Sequence, residues 1–243
     1  MNALVVIPAR AGSKSIPAKN LRPLCGVPLV EWAVAAGLVA DIGPVVVTTD
    51  SLEIIRLVAT SRAKAVTIER PAELAQDDTP DFPVFEHLLS VLPSVPDDAV
   101  LVHLRPTSPF IMPEEIVEVA EWCASAGISV RSVVVPRHHP RKMYGVVPVP
   151  VGIGGAPPYT LRPYCTDHAA NSPRQLLEPV FAAAGFVDAV PARIVRYGHS
   201  MESASIVPWF APDYRAVDLD TEVDWAVAEA LARSHGWRPG EVG

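Results

Sequence analysis

The amino-acid sequence predicts an α/β protein with three layers, in which a mostly parallel sheet is covered by helices on both faces. Short apolar runs rich in valine and isoleucine alternate along the chain with longer segments of helical apolar spacing, the order that a parallel sheet requires. The strand runs are apolar throughout rather than alternating, as expected for strands buried on both sides. With 243 residues, the chain is long enough for one sizeable core and a smaller appendage.

The first half of the chain supplies most of the predicted elements. Their strands are 3–7, 45–49, 64–68, 99–104 and 128–135, and their helices are 28–40, 51–62, 82–92 and 113–126. Pro28 suits a first helical turn. Ser51 is predicted to cap its helix, with Glu53 in the first turn. Acidic residues also lie in the first turn of the helix at 113–126, where the helix dipole favours them.

The second half breaks this rhythm at 136–180, which contains nine prolines. So long an irregular stretch is usually functional, and we interpret it as either a linker or a small arm that protrudes from the sheet. We therefore predict a core formed by 1–135 and 181–243, with 136–180 as a separate segment. Later strands are predicted at 185–190 and 193–197, and a closing helix at 222–235.

Charge and cysteine content exclude several classes of protein. A net charge of −7 argues against a nucleic-acid partner, because backbone phosphates need a basic surface. The three cysteines are too few and too widely spaced for a zinc site or a disulfide framework, which favours reduced thiols in a cytoplasmic protein. The apolar run 3–7 is too short for a signal peptide or a membrane span, and no later run is long enough, so no membrane partner is expected.

Ligands of open parallel sheets bind at the carboxyl ends of the strands. The loop after the first strand, 8–22, lies there and carries Arg10, Lys14 and Lys19 among small residues. Three cations within ten residues suit a triphosphate, whose oxygens gain charge during phosphoryl transfer. The loop matches neither the Walker A pattern nor G-x-G-x-x-G, which counts against a dehydrogenase. The plain alternative is a solvated basic loop.

A second candidate segment is VDLD at 217–220. In an extended chain, alternate residues point to the same side, so Asp218 and Asp220 present their carboxylates together. Mg²⁺ or Mn²⁺ would accept one or two carboxylates and complete its shell with phosphate oxygens. The alternative is a strand end that leads into a helix, with Asp220 or Thr221 as the cap.

Five segments in this order resemble the acylneuraminate cytidylyltransferases, or CMP-sialic acid synthetases, with CMP-KDO synthetases as more distant relatives. The segments span nearly the whole chain and are IPARAGSKSIPAKNL (7–21), RPAELAQDDT (70–79), LRPTSPF (104–110), PRQLLEP (173–179) and VDLDTEVD (217–224). The resemblance implies a Rossmann-like nucleotidyltransferase fold and transfer of CMP from CTP to an acid, with release of pyrophosphate. It also implies a homodimer in which 136–180 is the dimerisation arm.

The resemblance implies a role for each matching residue. The nucleotide would contact Ala9, Arg10, Ala11, Gly12, Ser13, Lys14, Lys19, Asn20, Arg70, Asp77 and Thr79. Within that set the three cations would hold the phosphates, while Asn20 and Arg70 would contact ribose and cytosine. The implied catalytic residues are Arg10, Lys19, Asp218 and Asp220, and the two aspartates would hold the metal. The proton of the acceptor hydroxyl would pass either to a hydroxide or to one of these aspartates.

The acceptor is expected to be small and acidic. Its predicted contacts are Arg105, Thr107, Ser108, His139, Lys142, Arg174, Gln175 and Asp188. Two of them depart from the family: Arg105 stands where the sialate enzymes usually have glutamine, and Asp188 replaces an aromatic residue. A nonulosonic acid of the sialic or legionaminic type is therefore one candidate acceptor, and a smaller phosphonate acid is another, because an extra cation suits a more highly charged molecule. Another nucleotide such as GTP, and a nucleotide-binding protein without catalysis, remain alternatives.

Other conspicuous residues have plainer interpretations. His103 lies in an apolar strand and is predicted to be a satisfied core histidine. Asp50 is predicted either to cap the helix that follows it, which we favour, or to lie near the nucleotide. Trp32, Trp122 and Trp225 lie on apolar helix faces and are predicted to be buried.

Overall fold

The computed structural model describes residues 1–61, 65–149, 159–166 and 172–242. The chain divides into two compact units. The first comprises Met1–Val133 together with Ala183–Gly243, and the second is Val134–Ala182.

Helices and strands alternate through most of the first unit. In chain order, the elements of the chain are β1 (Ala3–Pro8), β2 (Pro23–Leu24), β3 (Val27–Pro28), α1 (Leu29–Ala40), β4 (Val45–Thr49), α2 (Leu52–Thr60), β5 (Val66–Glu69), α3 (Asp81–Val91), β6 (Val100–Leu104), α4 (Pro113–Ala126), β7 (Val130–Val134), β8 (Tyr144–Pro148), β9 (Tyr159–Pro163), β10 (Ala182–Pro191), α5 (Ala192–Gly198), β11 (Val207–Phe210) and α6 (Glu222–His235). Short 3₁₀ turns lie at 72–74, 140–142 and 174–176.

Within the described residues, seven strands form the central sheet in the order β11-β7-β10-β6-β1-β4-β5. Strand β1 pairs in parallel with β4 and with β6, and β4 pairs in parallel with β5. Strand β11 is parallel to β7, whereas β10 runs antiparallel to β6. The predicted mostly parallel sheet is confirmed, and its parallel strands β1, β4 and β6 place their carboxyl ends along one edge.

Helices cover both faces of this sheet. Leu4 and Val6 of β1 belong to a buried cluster with Phe85 of α3. Val5, between them, points to the opposite face, where α1 approaches so closely that a Cβ on Gly37 would lie 3.0 Å from its side chain. Alternate residues of one fully buried strand therefore pack against helices on opposite sides, and this accounts for the uninterrupted apolar runs.

Two local predictions are wrong. The segment 193–197 is part of helix α5 rather than a strand. Ala192 and Val195, three residues apart, are both fully buried while Tyr197 is exposed, so the apolar side of this segment has helical spacing. Trp122 is 39% exposed rather than buried, because the buried side of α4 is lined by Val119 and Cys123 instead.

The other predicted strands and helices agree with the structure, apart from a few residues at their ends, and the two-residue strands β2 and β3 were not predicted. Ser51 caps α2 as predicted, and its side chain accepts a hydrogen bond from the Ile54 amide at 3.2 Å. Trp32 and Trp225 are buried, as expected. Lys64, at the start of the predicted strand 64–68, lies outside the described residues. None of the described helices has the length and apolar character that crossing a membrane demands.

The second unit contains a two-stranded antiparallel hairpin. Strand β8 pairs with β9 so that Val146 lies opposite Leu161 and Val147 lies opposite Thr160. The Tyr164 amide extends the pairing with a hydrogen bond to the Met143 carbonyl at 2.9 Å. Strands β8, β9 and β11 were not anticipated, because proline and polar residues interrupt their apolar runs.

Candidate active site

The loop that follows β1 is fixed at both of its ends. At its start, the Ala9 amide donates to the Thr48 carbonyl at 3.0 Å, and the Ala11 amide donates to Asp50 Oδ1 at 2.8 Å. At its end, Asn20 Nδ2 donates to the Arg10 carbonyl at 2.9 Å. Asp50 therefore holds this loop against β4 instead of capping α2, which corrects the prediction made for it. Because the backbone amides of Ala9 and Ala11 are occupied, these two residues keep only their carbonyls for a ligand.

A cavity of about 210 Å³ opens beside this loop. Most of the predicted nucleotide contacts line it, together with two of the predicted acceptor contacts: Arg10, Gly12, Ser13, Lys19, Asn20, Arg70, Asp77, Thr79, Arg105 and Thr107. Residues separated by up to about a hundred positions in sequence thus share one concave surface. Its mixture of several cations and few apolar groups is typical of a site for a polar, anionic ligand.

The aspartate segment reaches the cationic loop through Lys19. Its ammonium group donates to the Leu219 carbonyl at 2.9 Å and lies 3.2 Å from Asp220 Oδ1. The Leu219 amide in turn donates to the Thr107 carbonyl at 2.9 Å. The cationic loop, the 105–110 loop and the aspartate pair are therefore brought together at one place, as a shared ligand requires.

The two aspartates alternate with a buried leucine. Leu219 is fully buried, whereas Asp218 and Asp220 both reach solvent on the outer side. Partial burial raises the pKa of Asp218, and the neighbouring charge of Asp220 raises it further, while the Thr107 hydroxyl and Lys19 act in the opposite direction. Asp218 thus experiences the charge of Asp220, which a bound cation would relieve.

This pair fits a hard divalent cation in its donor chemistry. Carboxylate oxygens are what Mg²⁺ and Mn²⁺ prefer, and Mg²⁺ characteristically takes only one or two of them and completes its shell with water and substrate phosphates. Within the described ranges, no group of three or more metal-binding side chains occurs, so a cage made by protein alone is not found there. The helix cap that the sequence left open is Thr221, which forms a capping box with Asp224 and leaves Asp220 uncommitted to the cap.

Arg70 is held rigidly in the cavity wall. It is 5% exposed, and its guanidinium donates to the Thr48 carbonyl at 2.7 Å and to the Leu74 carbonyl at 3.5 Å. Burial lowers its pKa, although the nearby carboxylates of Asp50 and Asp81 oppose that shift. An arginine clamped in this way offers donors in a fixed direction, as base or ribose recognition requires.

Arg105 is paired with two carboxylates. Its NH1 lies 2.9 Å from Asp188 Oδ2 and its NH2 lies 3.0 Å from Asp81 Oδ2. Asp188 is 9% exposed, and its other oxygen accepts from the Ser132 amide at 2.9 Å and the Ser132 hydroxyl at 3.1 Å. The extra cation predicted at Arg105 is therefore neutralised within the protein. Asp188 holds Arg105 instead of lining the cavity beside the cationic loop.

The pKa values of these carboxyls follow from the pairing. Burial by itself would raise the pKa of Asp81 and of Asp188, but nearby positive charge outweighs it and both pKa values lie below the ordinary value. The lowering comes from His103, when protonated, and Arg105 at Asp81, and from Arg105 and His103 at Asp188. His103 is 2% exposed, and burial lowers its pKa to about 4, with Arg105 adding to the effect. At neutral pH this imidazole is uncharged, so the two carboxylates are balanced by Arg105 and, at 3.9 Å from Asp188, by Arg131.

Ser108 differs from its prediction. It is 1% exposed, and its hydroxyl donates to the Gly185 carbonyl at 3.0 Å, so it joins the 105–110 loop to β10 instead of facing an acceptor.

Sequence reasoning also missed cavity residues, namely Gln76, Asp81 and His103. Asp81 had a usable signal, since it opens a helix directly after the 70–79 segment. His103 had none, because nothing distinguishes it from a core histidine until the cavity is seen.

Lys14 and Arg10 share one partner. Both form ion pairs with the carboxylate of Asp77, Arg10 with one oxygen and Lys14 with the other. Apart from this ion pair the Lys14 side chain faces solvent, and it is 86% exposed. The phosphate-binding cations predicted in this loop thus carry an internal counter-ion.

The other four predicted acceptor residues belong to the second unit. His139 is 6% exposed; its Nδ1 accepts from the Arg141 amide at 3.2 Å, and its Nε2 lies 3.1 Å from the Glu178 carbonyl. Both ring nitrogens are therefore engaged inside the unit, and this histidine has no free nitrogen for an acceptor. Arg174 is exposed and donates to the Pro136 carbonyl at 2.8 Å. Lys142 and Gln175 are exposed.

Known proteins similar to this chain agree with the site. CMP-N,N'-diacetyllegionaminic acid synthase of Legionella pneumophila subsp. pneumophila is 31% identical over 235 residues, covering 95% of this chain and 96% of that protein. N-acylneuraminate cytidylyltransferase A of Danio rerio is 28% identical over 241 residues, covering 98% of this chain. N-acylneuraminate cytidylyltransferase B of the same fish is 35% identical over 133 residues, or 55% of this chain. The matches span 52% and 30% of the lengths of these two fish proteins.

A solved structure and a family profile complete the comparison. The structure of CMP:2-keto-3-deoxy-manno-octonic acid synthetase complexed with CTP matches with a TM-score of 0.66 over 96% of this chain and 99% of that chain, at 18% identity, which shows a shared fold. The profile described as cytidylyltransferase matches residues 4–144, more than half of the chain. A dehydrogenase is thereby excluded. The chain belongs to the cytidylyltransferase family of nucleotidyltransferases.

Proposed function

We propose that this protein transfers CMP from CTP to a nonulosonic acid of the sialic or legionaminic type and releases pyrophosphate. The observation that carries the proposal is the approach of Lys19 to Asp220 at 3.2 Å, which joins the cationic loop to the aspartate pair beside one cavity. Cations for the phosphates and carboxylates for a metal are the two halves of a nucleotidyl-transfer site.

The chemistry is an in-line displacement at phosphorus. The acceptor hydroxyl oxygen attacks the α-phosphorus of CTP, a new P–O bond forms, and the bond from that phosphorus to the bridging oxygen breaks as pyrophosphate leaves. The hydroxyl proton passes to one of the two aspartates or to hydroxide from solvent. Arg10 and Lys19 stabilise the charge that develops on the phosphate oxygens, because fixed cations need no reorganisation as charge moves. Arg70 and Asn20 orient the nucleoside.

Asp218 and Asp220 would hold Mg²⁺ or Mn²⁺. When bound, such an ion supplies charge neutralisation at the phosphates and lowers the pKa of the attacking hydroxyl. The charge of Asp220 raises the pKa of Asp218, and this supports the assignment, because a carboxylate close to a second anion is stabilised by a bound cation.

The acceptor class is supported by similarity and by charge. One relative that matches along nearly the whole of both chains, at 31% identity, is a CMP-N,N'-diacetyllegionaminic acid synthase. A small phosphonate acid was favoured because Arg105 would add a positive charge for the acceptor. Arg105 is instead paired with Asp81 and Asp188, so that charge does not favour a phosphonate. Phosphonate acids are therefore tested as the second class of acceptor in the pyrophosphate-release assay described next.

The test is pyrophosphate release with CTP, Mg²⁺ and a panel of nonulosonic acids, small phosphonate acids and neutral sugars. We expect release with CTP and a nonulosonic acid, and none with GTP or without an acid. The variant Asp218→Asn/Asp220→Asn should abolish turnover while weakening CTP binding only moderately. Asp213→Asn, an exposed carboxylate a few residues earlier, is the matched control. A double variant with unchanged turnover would exclude the metal site, whereas a native protein that releases no pyrophosphate with any acid would be a nucleotide-binding protein without catalysis.

We also propose that the chain forms a homodimer through its second unit and works in the cytoplasm, with which its free thiols agree. One face of the hairpin is entirely apolar and exposed: Tyr144, Val146, Pro148, Tyr159, Leu161 and Pro163. Val146 and Leu161, directly opposite each other, are 64% and 63% exposed. An isolated hairpin is only marginally stable in water, so this face needs a partner, and a second copy supplies the same apolar face.

The oligomeric state tests this part separately. Light scattering after size exclusion should give a dimer for the native chain and a monomer for Val146→Asp/Leu161→Asp. Thr160→Asp, on the other face of the same hairpin, is the control and should remain dimeric. A monomeric native protein would exclude the homodimer.

A further inference from the structure

The segment between β5 and α3 is a strap anchored at its two ends. At the first end, the Arg70 amide donates to the Thr49 carbonyl at 2.8 Å, and the buried Arg70 guanidinium holds the adjacent carboxyl end of β4. At the other end, Asp81 opens α3 and pairs with Arg105 at 3.0 Å. Between these anchors, the residues 71–80 arch along the cavity, and several of them line it.

The middle of the strap is tied to the cationic loop through one side chain. Asp77 pairs with Arg10 through one carboxylate oxygen and with Lys14 through the other. These two cations lower its pKa, so it is ionised at neutral pH. Its side chain is 34% exposed, which leaves it open to exchange with a dissolved anion.

A phosphate group presents the same chemistry as this carboxylate. Both are anions with neighbouring oxygens that accept hydrogen bonds from guanidinium and ammonium groups. A phosphate carries more negative charge than the Asp77 carboxylate and attracts Arg10 and Lys14 more strongly. The two side chains cannot pair fully with Asp77 and with a phosphate at the same time. Phosphates that approach these cations therefore compete with an anion already present in the protein.

We propose that Asp77 is an intramolecular competitor for the phosphate-binding cations, which lowers the affinity of the site for pyrophosphate and so favours its release. The proposal rests on the proposed function, because it takes pyrophosphate as the product that leaves Arg10 and Lys14. Asp77 was expected from sequence to contact the nucleotide. In this role it displaces the phosphates from Arg10 and Lys14, so it sets the affinity for the product and is not a catalytic residue.

The size of the effect follows from the exposure of the pairs. An ion pair open to solvent changes an equilibrium by at most about fivefold, so two of them together change it by at most about thirtyfold. Removing the competitor should therefore tighten pyrophosphate binding by about three- to thirtyfold. The same variant should show stronger product inhibition and a lower kcat wherever pyrophosphate release limits turnover.

The experiment is calorimetric titration of the full chain with pyrophosphate, with and without Mg²⁺, for the native protein, Asp77→Asn and Asp78→Asn. Asp78 is the adjacent exposed carboxylate, for which no ion pair is found within the described ranges, and its replacement changes the net charge equally. We expect Asp77→Asn to bind pyrophosphate more tightly than Asp78→Asn by at least threefold. Equal affinities, or weaker binding by Asp77→Asn, would overturn the proposal. Asp77 would then serve only to hold the strap against the cationic loop through its ion pairs.

Thermal unfolding and turnover distinguish a change in pyrophosphate affinity from a loss of structure and from a failure of the proposed reaction. Thermal unfolding of each variant identifies a loss of structure, and Asp77→Glu, which keeps the charge, should restore the native affinity if the fold is intact. Turnover with CTP and the acid panel is measured in parallel. An affinity difference without any turnover would uphold the competitor and refute the proposed reaction, whereas turnover without an affinity difference would do the reverse.

Discussion

Removing one partner of the buried pair between Arg215 and Glu115 should destabilise the protein strongly. Arg215 NH1 donates to Glu115 Oε2 at 2.8 Å and NH2 donates to Oε1 at 2.5 Å, with side chains only 5% and 9% exposed. NH1 also donates to the Phe110 carbonyl at 3.1 Å, and Glu115 accepts from the Met112 amide at 2.8 Å. The pair thus fastens the chain that leads into Asp218 to the start of α4.

The expected magnitude follows from burial. Burial opposes the charged form of Arg215, and the bonds to Glu115 outweigh it and raise the arginine pKa. Breaking a buried pair on one side typically costs about 3–5 kcal/mol, because a charge is left without its partner. For a chain of this size, each kcal/mol corresponds to roughly 2–4 °C of Tm. Glu115→Gln should therefore lower Tm by roughly 6–20 °C.

A double-mutant cycle measured by denaturant unfolding checks this reasoning. Arg215→Met/Glu115→Leu, which removes both charges and keeps much of the apolar volume, should recover most of the loss seen in either single variant. Arg233→Met is the control, because its pair with Glu229 is largely exposed and should contribute less than about 1 kcal/mol. Single variants that lose less than about 1 kcal/mol, or strictly additive losses, would refute the assigned burial of the pair.

Three further outcomes are expected. Lys19→Gln should lower kcat/KM by roughly 10²–10³ while Tm stays near that of the native protein, and a loss under tenfold in the pyrophosphate assay would contradict the role assigned to its charge. Asp188→Asn should lower the free energy of unfolding by about 1–3 kcal/mol in denaturant titration, because Arg105 keeps only Asp81 as a charged partner; no change would contradict the pairing. His103 stays neutral when folded down to its pKa of about 4 but binds a proton near pH 6.5 when unfolded, so the unfolding free energy should fall by roughly 3 kcal/mol as pH drops from about 6.5 to 4. His103→Gln should remove that part of the pH dependence, and parallel curves for the two proteins would refute it.

Much of the fold could be predicted because its signals are local. Apolar runs marked β1, β4 and β6, and Ser51 marked the start of α2 by the same side-chain bond that the structure contains. The errors arose where a local signal was ambiguous. The five residues 193–197 are too few to separate strand from helix, and packing of Val195 in the core decided for the helix.

The candidate site could be predicted as a set of loops but not as a set of free charges. The rule that ligands bind at strand carboxyl ends selected the loop after β1, and Arg10, Lys19 and Asn20 of that loop line the cavity. It could not reveal that Arg105 is neutralised, since its partners Asp81 and Asp188 lie 24 and 83 residues away. It also could not show that the two neighbours Thr107 and Ser108 have different roles. Thr107 lines the cavity, whereas the Ser108 hydroxyl donates to the Gly185 carbonyl.

The sequence by itself determined the order of strands and helices, the cationic loop and the alternating aspartates, because periodicity, capping and side-chain alternation depend on neighbours a few residues apart. Only the tertiary structure decided which charges face a ligand and which face each other. Lys19 meets Asp220 across 201 positions, and Arg10 meets Asp77 across 67. The energy of an ion pair depends on distance in space and on burial, and neither quantity is written in the local sequence.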